Sequence, residues 1–160
     1  MASLSKLKTE VFDFAKKFEQ AMTEVRTISK EVDRNFEQWS QRITDLSTEV
    51  PDNANKLAKG LYEVSSAGYE GAEGLNVLET ASKTAAAGMT DTKTAASMLT
   101  ATMNAYNMEA DRATEVADSL FATVSGGMLK MEGLSGQFGE VAAAASAMDI
   151  SVEEALAAVQ

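Results

Sequence analysis

Cysteine and histidine are absent from this 160-residue chain, and proline occurs once, at Pro51. Without the first two there can be no disulfide, no thiolate or imidazole metal ligand, no cysteine nucleophile and no histidine general base. Aromatic residues make up only 6% of the chain, and no stretch approaches the roughly 18 consecutive apolar residues of a membrane-spanning helix. An excess of positive charge is also missing, since the net charge is −10. Residues 1–50 carry eight Lys/Arg against nine Asp/Glu, and residues 51–160 carry six against fifteen. Phosphate backbones recruit Lys and Arg through counterion release, so a body this acidic is expected not to bind nucleic acid directly. The opening MASLSKLKTEVFDF acquires Glu10 and Asp13 before any apolar run develops, and does not read as a signal peptide.

What is present is the vocabulary of helices: abundant alanine and nine methionines. The chain divides at Pro51 into an N-terminal amphipathic region, 1–50, and an Ala-rich multi-helix region, 51–160. In the first, Leu4, Leu7, Val11, Phe14, Phe18, Ala21, Val25, Ile28 and Val32 alternate steps of three and four, a heptad seam. After Val32 comes a second step of four, to Phe36, which predicts a stutter or a helix break with Asp33 or Asn35 as a cap. Two roles fit the seam. It either covers the helices that follow Pro51, or it joins copies of the chain through Leu4, Leu7, Val11, Phe14, Phe18, Val25, Ile28 and Val32. Pro51, tolerated in a first helical turn, and acidic Asp52 predict a helix from about 52 to 66.

Beyond that helix a turn recurs. Gly68, Gly88, Asn107, Gly127 and Asp149 fall at intervals of 20, 19, 20 and 22 residues. Each precedes an apolar side chain: Tyr69, Met89, Met108, Met128 and Ile150. A Schellman helix end needs a residue that accepts positive φ at C′ and an apolar residue packing back from C″, so each pair predicts a helix terminus. Asp91 before TKTAASML, and Ser151 with Glu154 three residues later, predict the caps that restart the chain. The expected fold is therefore all-α. A long N-terminal amphipathic helix or helix pair precedes an array of short antiparallel or crossed helices joined by Gly/Asn turns.

Other features lead away from chemistry. SGGMLKMEGLSGQFGE lacks the strand context and G-K-[ST] ending of a phosphate loop. Glu153 and Glu154 are adjacent, point in different directions on a helix and suit its first turn, so they read as caps. The methionines read as gap fillers between close helices. No cofactor, metal or catalytic residue is expected.

With these turns in place, the chain resembles the core region of phage tail tape measure proteins. The likeness begins at FEQAMTEVRTIS, similar to the family's F-E-x-A-M-x-x-V, and continues through LAKGLYEVSSAGY and AAAGMTD. It runs on through NAYNMEADRATEVADSLFATV, similar to N-A-F-G-L-x-A-x-x-A-x-x-V-A-D, to AASAMDISVEEALAAV. About residues 18–160 are covered, by order and spacing rather than by any one motif. Where family members often carry a Gly-containing break, this chain has SKEVDRN, which implies a straighter first region. The resemblance implies a non-enzymatic virion protein that occupies the tail lumen and helps set tail-tube length. Its implied partners are other copies of itself, tail-tube proteins and tail assembly chaperones, met first in the host cytoplasm. The chain stops at Gln160 within a helical pattern and is much shorter than a tape measure, so a fragment or truncated reading frame is expected. The same residues also suit a generic helical interaction module, such as a regulatory or chaperone-binding bundle.

Overall fold

A computed structural model describes residues 3–126, 133–134 and 138–158. Among them there is no strand, and the fold is all-α. Three helices precede Pro51: α1 (Leu4–Ile28), α2 (Lys30–Arg34) and α3 (Phe36–Glu49). After it come α4 (Ala54–Ser66), α5 (Gly71–Ala87), α6 (Thr92–Ala105), a 3-10 turn (Ala110–Arg112), α7 (Ala113–Gly126), α8 (Phe138–Ala147) and α9 (Val152–Ala157).

The first region is not straight. The chain breaks at Ser29, whose backbone is extended and whose hydroxyl accepts from Val32 N at 3.3 Å, so Ser29 closes α1 and caps α2. A second break at Asn35 ends α2 and opens α3. A serine whose side chain bonds its own downstream backbone competes with helix continuation, so a break does not require glycine. That is why the missing glycine did not give a continuous rod.

At the centre lie α4 and α6. Helix α4 packs against α1, α3, α5 and α6, while α6 also meets α5, α7 and α8. One core runs across residue 50: Met22, Val25, Trp39 and Ile43 share it with Leu57, Leu61, Val77, Leu78, Leu99 and Met103. Helix α6 is enclosed on most sides, burying Ala95, Ala96, Met98, Leu99, Thr100, Thr102 and Met103. Two of its buried hydroxyls are satisfied within the helix. Thr100 Oγ1 donates to Ala96 O at 2.8 Å and Thr102 Oγ1 to Met98 O at 2.9 Å. Thr100 and Thr102 can therefore sit in the core, where helices approach closely, without an unpaired hydroxyl.

The start of α4 differs from the expectation of a helix from about 52. Asn53 is the cap, its Oδ1 accepting from Lys56 N at 3.1 Å. Asp52 instead turns toward another helix: its carboxylate accepts from Thr92 N at 3.3 Å and from the Thr92 hydroxyl, and pairs with Lys56 Nζ at 3.0 Å. A carboxylate at the positive end of α6 satisfies an orphan N–H and the helix dipole together. The cap of α6 therefore comes from 40 residues upstream as well as from Asp91, whose Oδ1 accepts from Thr94 N at 2.9 Å.

Candidate association surface

Helix α1 is one continuous rod with two different surroundings. Its second half places Ala21, Met22 and Val25 in the core. Its first half is uncovered: Leu4 is 73% exposed, Leu7 50%, Val11 63% and Phe12 70%. Phe14 is also exposed, and Phe18, half-buried, marks the crossover. Near that crossover, Asn55 Nδ2 donates to Phe14 O at 3.4 Å, tying the arm's base to α4. The arm begins at a proper cap, with Ser3 Oγ accepting from Lys6 N at 3.4 Å. A row of apolar side chains left in water makes the arm a candidate interaction surface.

The seam is thus divided rather than uniform. Val25 and Val32 are core residues and cannot join copies; Leu4, Leu7, Val11 and Phe14 stay accessible, as does Ile28 at the far end. Periodicity alone could not separate the halves, because coverage is decided by where α4 lies. Phe12 falls outside the heptad positions and was missed, although its aromatic neighbourhood was visible in VFDFAKKF.

The turns share one frame. Gly68 (φ 97), Met89 (φ 55), Asn107 (φ 51) and Asp149 (φ 57) hold left-handed backbone. Each stands two residues before the N-cap of the next element: Glu70, Asp91, Glu109 and Ser151. At all four the following residue closes the turn, and at three it is the expected apolar one: Tyr69 N bonds Val64 O (3.2 Å), Met108 N bonds Met103 O (2.8 Å) and Ile150 N bonds Ala145 O (3.0 Å). The pair at Gly88 and Met89 is displaced by one. Gly88 has φ −85 and bonds Thr84 O, so the helix runs one residue further, and Met89 becomes the left-handed residue instead of the apolar plug. Its side chain is 90% exposed. Thr90 N then donates to Ala85 O at 2.9 Å, and Asp91 restarts the chain. Counting back two from the Asp91 cap, rather than looking for glycine, is the signal that finds Met89. Gly127 and Met128 lie outside the described residues.

Two of these turns are joined. The Tyr69 hydroxyl donates to Met108 O at 2.8 Å, with Asn104 Oδ1 at 3.2 Å, and Asn104 Nδ2 donates to Ala67 O at 3.1 Å. Burial, reinforced by the nearby Glu109 carboxylate, pushes the Tyr69 phenol above its ordinary value and keeps it a donor. Met108 and Ile150 are half-buried, and Met108 packs against the core.

A stability comparison follows from the frame. Gly68→Ala is expected to lower stability by about 1 kcal/mol, because its φ is positive and the new Cβ meets nothing within 4 Å, so backbone strain acts alone. Met89→Gly should raise stability by up to about 1 kcal/mol for the converse reason. Gly88→Ala, at φ −85, should be neutral or slightly stabilising. Urea midpoints check all three, and equal losses at Gly68 and Gly88 would contradict the frame.

The remaining surface offers grooves rather than a catalytic cleft. Concavities of about 280–330 Å³ run between α1 and α4 and along α5. Among the described residues, no group of three or more Asp/Glu side chains could hold a metal ion, and no helix is long and apolar enough to cross a membrane. Ion pairs such as Arg112–Glu115 (2.5 Å) and Lys83–Glu79 (2.6 Å) lie on the surface, where each contributes little.

The described residues form an all-α helical module with an apolar arm held away from its own core, open grooves and capped turns. The chain belongs to the phage-related minor tail protein family, whose model matches residues 40–160. It is also similar to the probable tape measure protein of Clostridium phage phiCD119, at 25% identity over 141 residues. That alignment covers 86% of this chain and 15% of the relative, so the chain spans a small part of that protein's length. No solved structure matches. The protein is accordingly a structural component of phage tails and is virion-associated.

Proposed function

We propose that this chain is a compact module of a tape measure protein, which lies in the tail lumen, helps set the length of the tail tube and leaves ahead of the DNA. The observation that carries this reading is the alignment of 86% of the chain with a probable tape measure protein, together with the family match over 40–160. Its partners are other copies of itself, met through the exposed half of α1, tail-tube proteins, and assembly chaperones in the host cytoplasm.

The geometry supports a particular share of that work. A ruler gains length at about 1.5 Å per residue when its helix is continuous. Here the chain turns back at residues 68, 89, 107 and 149, so it adds much less length than its residue count allows. It serves as a docking and packing body rather than as the measuring stretch. The net charge of −10 suits a lumen through which DNA passes without adhering.

Protease protection tests the proposal. In purified tails of the encoding phage, peptides from residues 51–126 should be recovered by mass spectrometry, resist protease in intact particles and become cleavable after triggered ejection. Cleavage in intact tails would overturn the lumen assignment, and absence from tails would overturn the tape measure reading.

A further inference from the structure

The exposed arm of α1 needs a seat, and a second arm is a poor one. Along the arm the accessible seam positions are Leu4, Leu7, Val11 and Phe14, about two heptads, below the three to four that sustain a coiled coil. Charges on the flanks oppose pairing too. With Leu4 and Val11 at a, Leu7 and Phe14 at d, Lys8 takes an e position and Glu10 a g position. An overlapped antiparallel pair sets Glu10 against Glu10 and Lys8 against Lys8, while a parallel pair sets Glu10 against Ala15 and gains nothing.

A better seat lies along α5. Three concavities along α5 share residues and so form one groove: Asn76 and Glu79 join the first to the second, and Thr80, Lys83 and Thr114 join the second to the third. Leu46 and Leu75 line one end, and Ala117 and Phe121 the other. From Leu75 to Ala87, twelve residue steps on α5, the groove is about 18 Å long. The arm from Leu4 to Phe14, ten steps, presents an apolar stripe of about 15 Å. Their charges are opposite. The groove is lined by Asp45, Glu49, Glu79, Asp111 and Asp118 against Arg42 and Lys83. Residues 4–17 carry Lys6, Lys8, Lys16 and Lys17 against Glu10 and Asp13. Arg42 lies over the Trp39 ring at 5.5 Å, and Lys83 is bound to Glu79, so both groove cations are already engaged.

We infer that the arm of one copy docks in the α5 groove of the next. The arm is a rigid continuation of α1, whose second half is fixed on α4, so it does not fold back into its own groove. The contact is heterologous, and each copy then has one arm and one groove available. Such a contact builds a head-to-tail row of copies, which closes into a ring where the rotation between neighbours allows it, rather than a two-fold dimer. This rests on the proposal that the exposed half of α1 joins copies, and it adds the receiving surface and the polarity.

Sedimentation velocity on the full chain tests both levels. The wild type should increase in weight-average mass with concentration without a plateau at dimer, and fall back toward monomer in 1 M salt. Val11→Glu, which blocks the arm, and the pair Asp111→Lys/Asp118→Lys, which blocks the groove, should each remain monomeric with wild-type circular dichroism. Mixed together, they should form a one-to-one dimer and nothing larger, because one keeps a groove and the other an arm. If Val11→Glu abolishes assembly but the groove pair does not, the arm pairs with itself, and the groove is refuted while the association reading stands. A wild type that is monomeric at every concentration overturns both. Arm-dependent flotation of a monomeric wild type with phosphatidylglycerol vesicles also overturns both, in favour of a lipid surface.

Discussion

Replacing Gly60 by valine is expected to lower stability by about 3 kcal/mol, and by alanine about 1–2 kcal/mol, although both residues are better helix formers than glycine. A Cβ at Gly60 would stand 2.6 Å from Thr92 Cγ2 and 2.9 Å from Leu78 Cδ1. Thr92 and Leu78 are fully buried, so neither methyl has space into which to retreat. Thr92 is doubly fixed, because its backbone N–H and its hydroxyl are both held by Asp52. Overpacking of this kind outweighs the roughly 1 kcal/mol that alanine gains in helix propensity. At about 2–4 °C per kcal/mol for a chain of this size, the valine variant should melt about 6–12 °C below the wild type. The source can be isolated. Thr92→Ser removes the obstructing methyl and keeps the hydroxyl for Asp52, so Gly60→Ala should lose about 1 kcal/mol less in that background. Gly139→Ala is the control, since its Cβ would lie 3.6 Å from Ala101 Cβ, an ordinary contact, and its melting point should hold. Coincident melts for the Gly60 and Gly139 variants would show that α4 and α6 do not approach as described.

Gly60 also shows what was legible in the sequence and what was not. The all-α class follows from local chemistry: a single proline, abundant alanine, and cap residues such as Asp91 and Ser151 that bind their own backbone. Ser151 and Glu154 close reciprocally as a capping box, a pairing that depends on four consecutive residues and so was readable. Gly60, in ANKLAKGLYEV, looks like a weak point in a helix because its reason lies in α5 and α6, far along the chain. Asp52 was assigned to its own helix for the same reason, since nothing near it announces Thr92. The displacement from Gly88 to Met89 is subtler. Glycine makes a left-handed turn easy but does not require it, and the Gly88 N–H stays in the helix while the exposed Met89 accepts the strain. As for the association surface, the apolar stripe was readable from its spacing, whereas the point where it passes from core to water was not. That point is set by where α4, and beside it α2 and α3, cover α1.

That transition supports the other large effect, a pair of truncations expected to part sharply. Deleting residues 1–17 should leave a cooperatively folding protein, while deleting residues 1–32 should abolish cooperative folding. Residues 3–17 are exposed throughout, and the bond they lose to the body is the 3.4 Å contact from Asn55 Nδ2 to Phe14 O. The longer deletion removes Met22, Val25 and Val32, which are 0–1% exposed, and with them the cover that α1 gives α4. At roughly 1.5–3 kcal/mol for each large apolar side chain, those three contribute about 5–9 kcal/mol, against a total of about 5–15 kcal/mol for a typical domain. The remainder of the core cannot absorb a loss of that size. Near-ultraviolet circular dichroism and urea titration should therefore show a sharp transition for the shorter deletion and a broad or absent one for the longer, which should also aggregate through its uncovered helices. Two folded products would place α1 outside the core, and two unfolded ones would make the arm part of it. Because the shorter deletion keeps the body and its α5 groove, it should also bind the arm of the full-length chain without extending the row, so that adding it shortens the assemblies formed by the wild type.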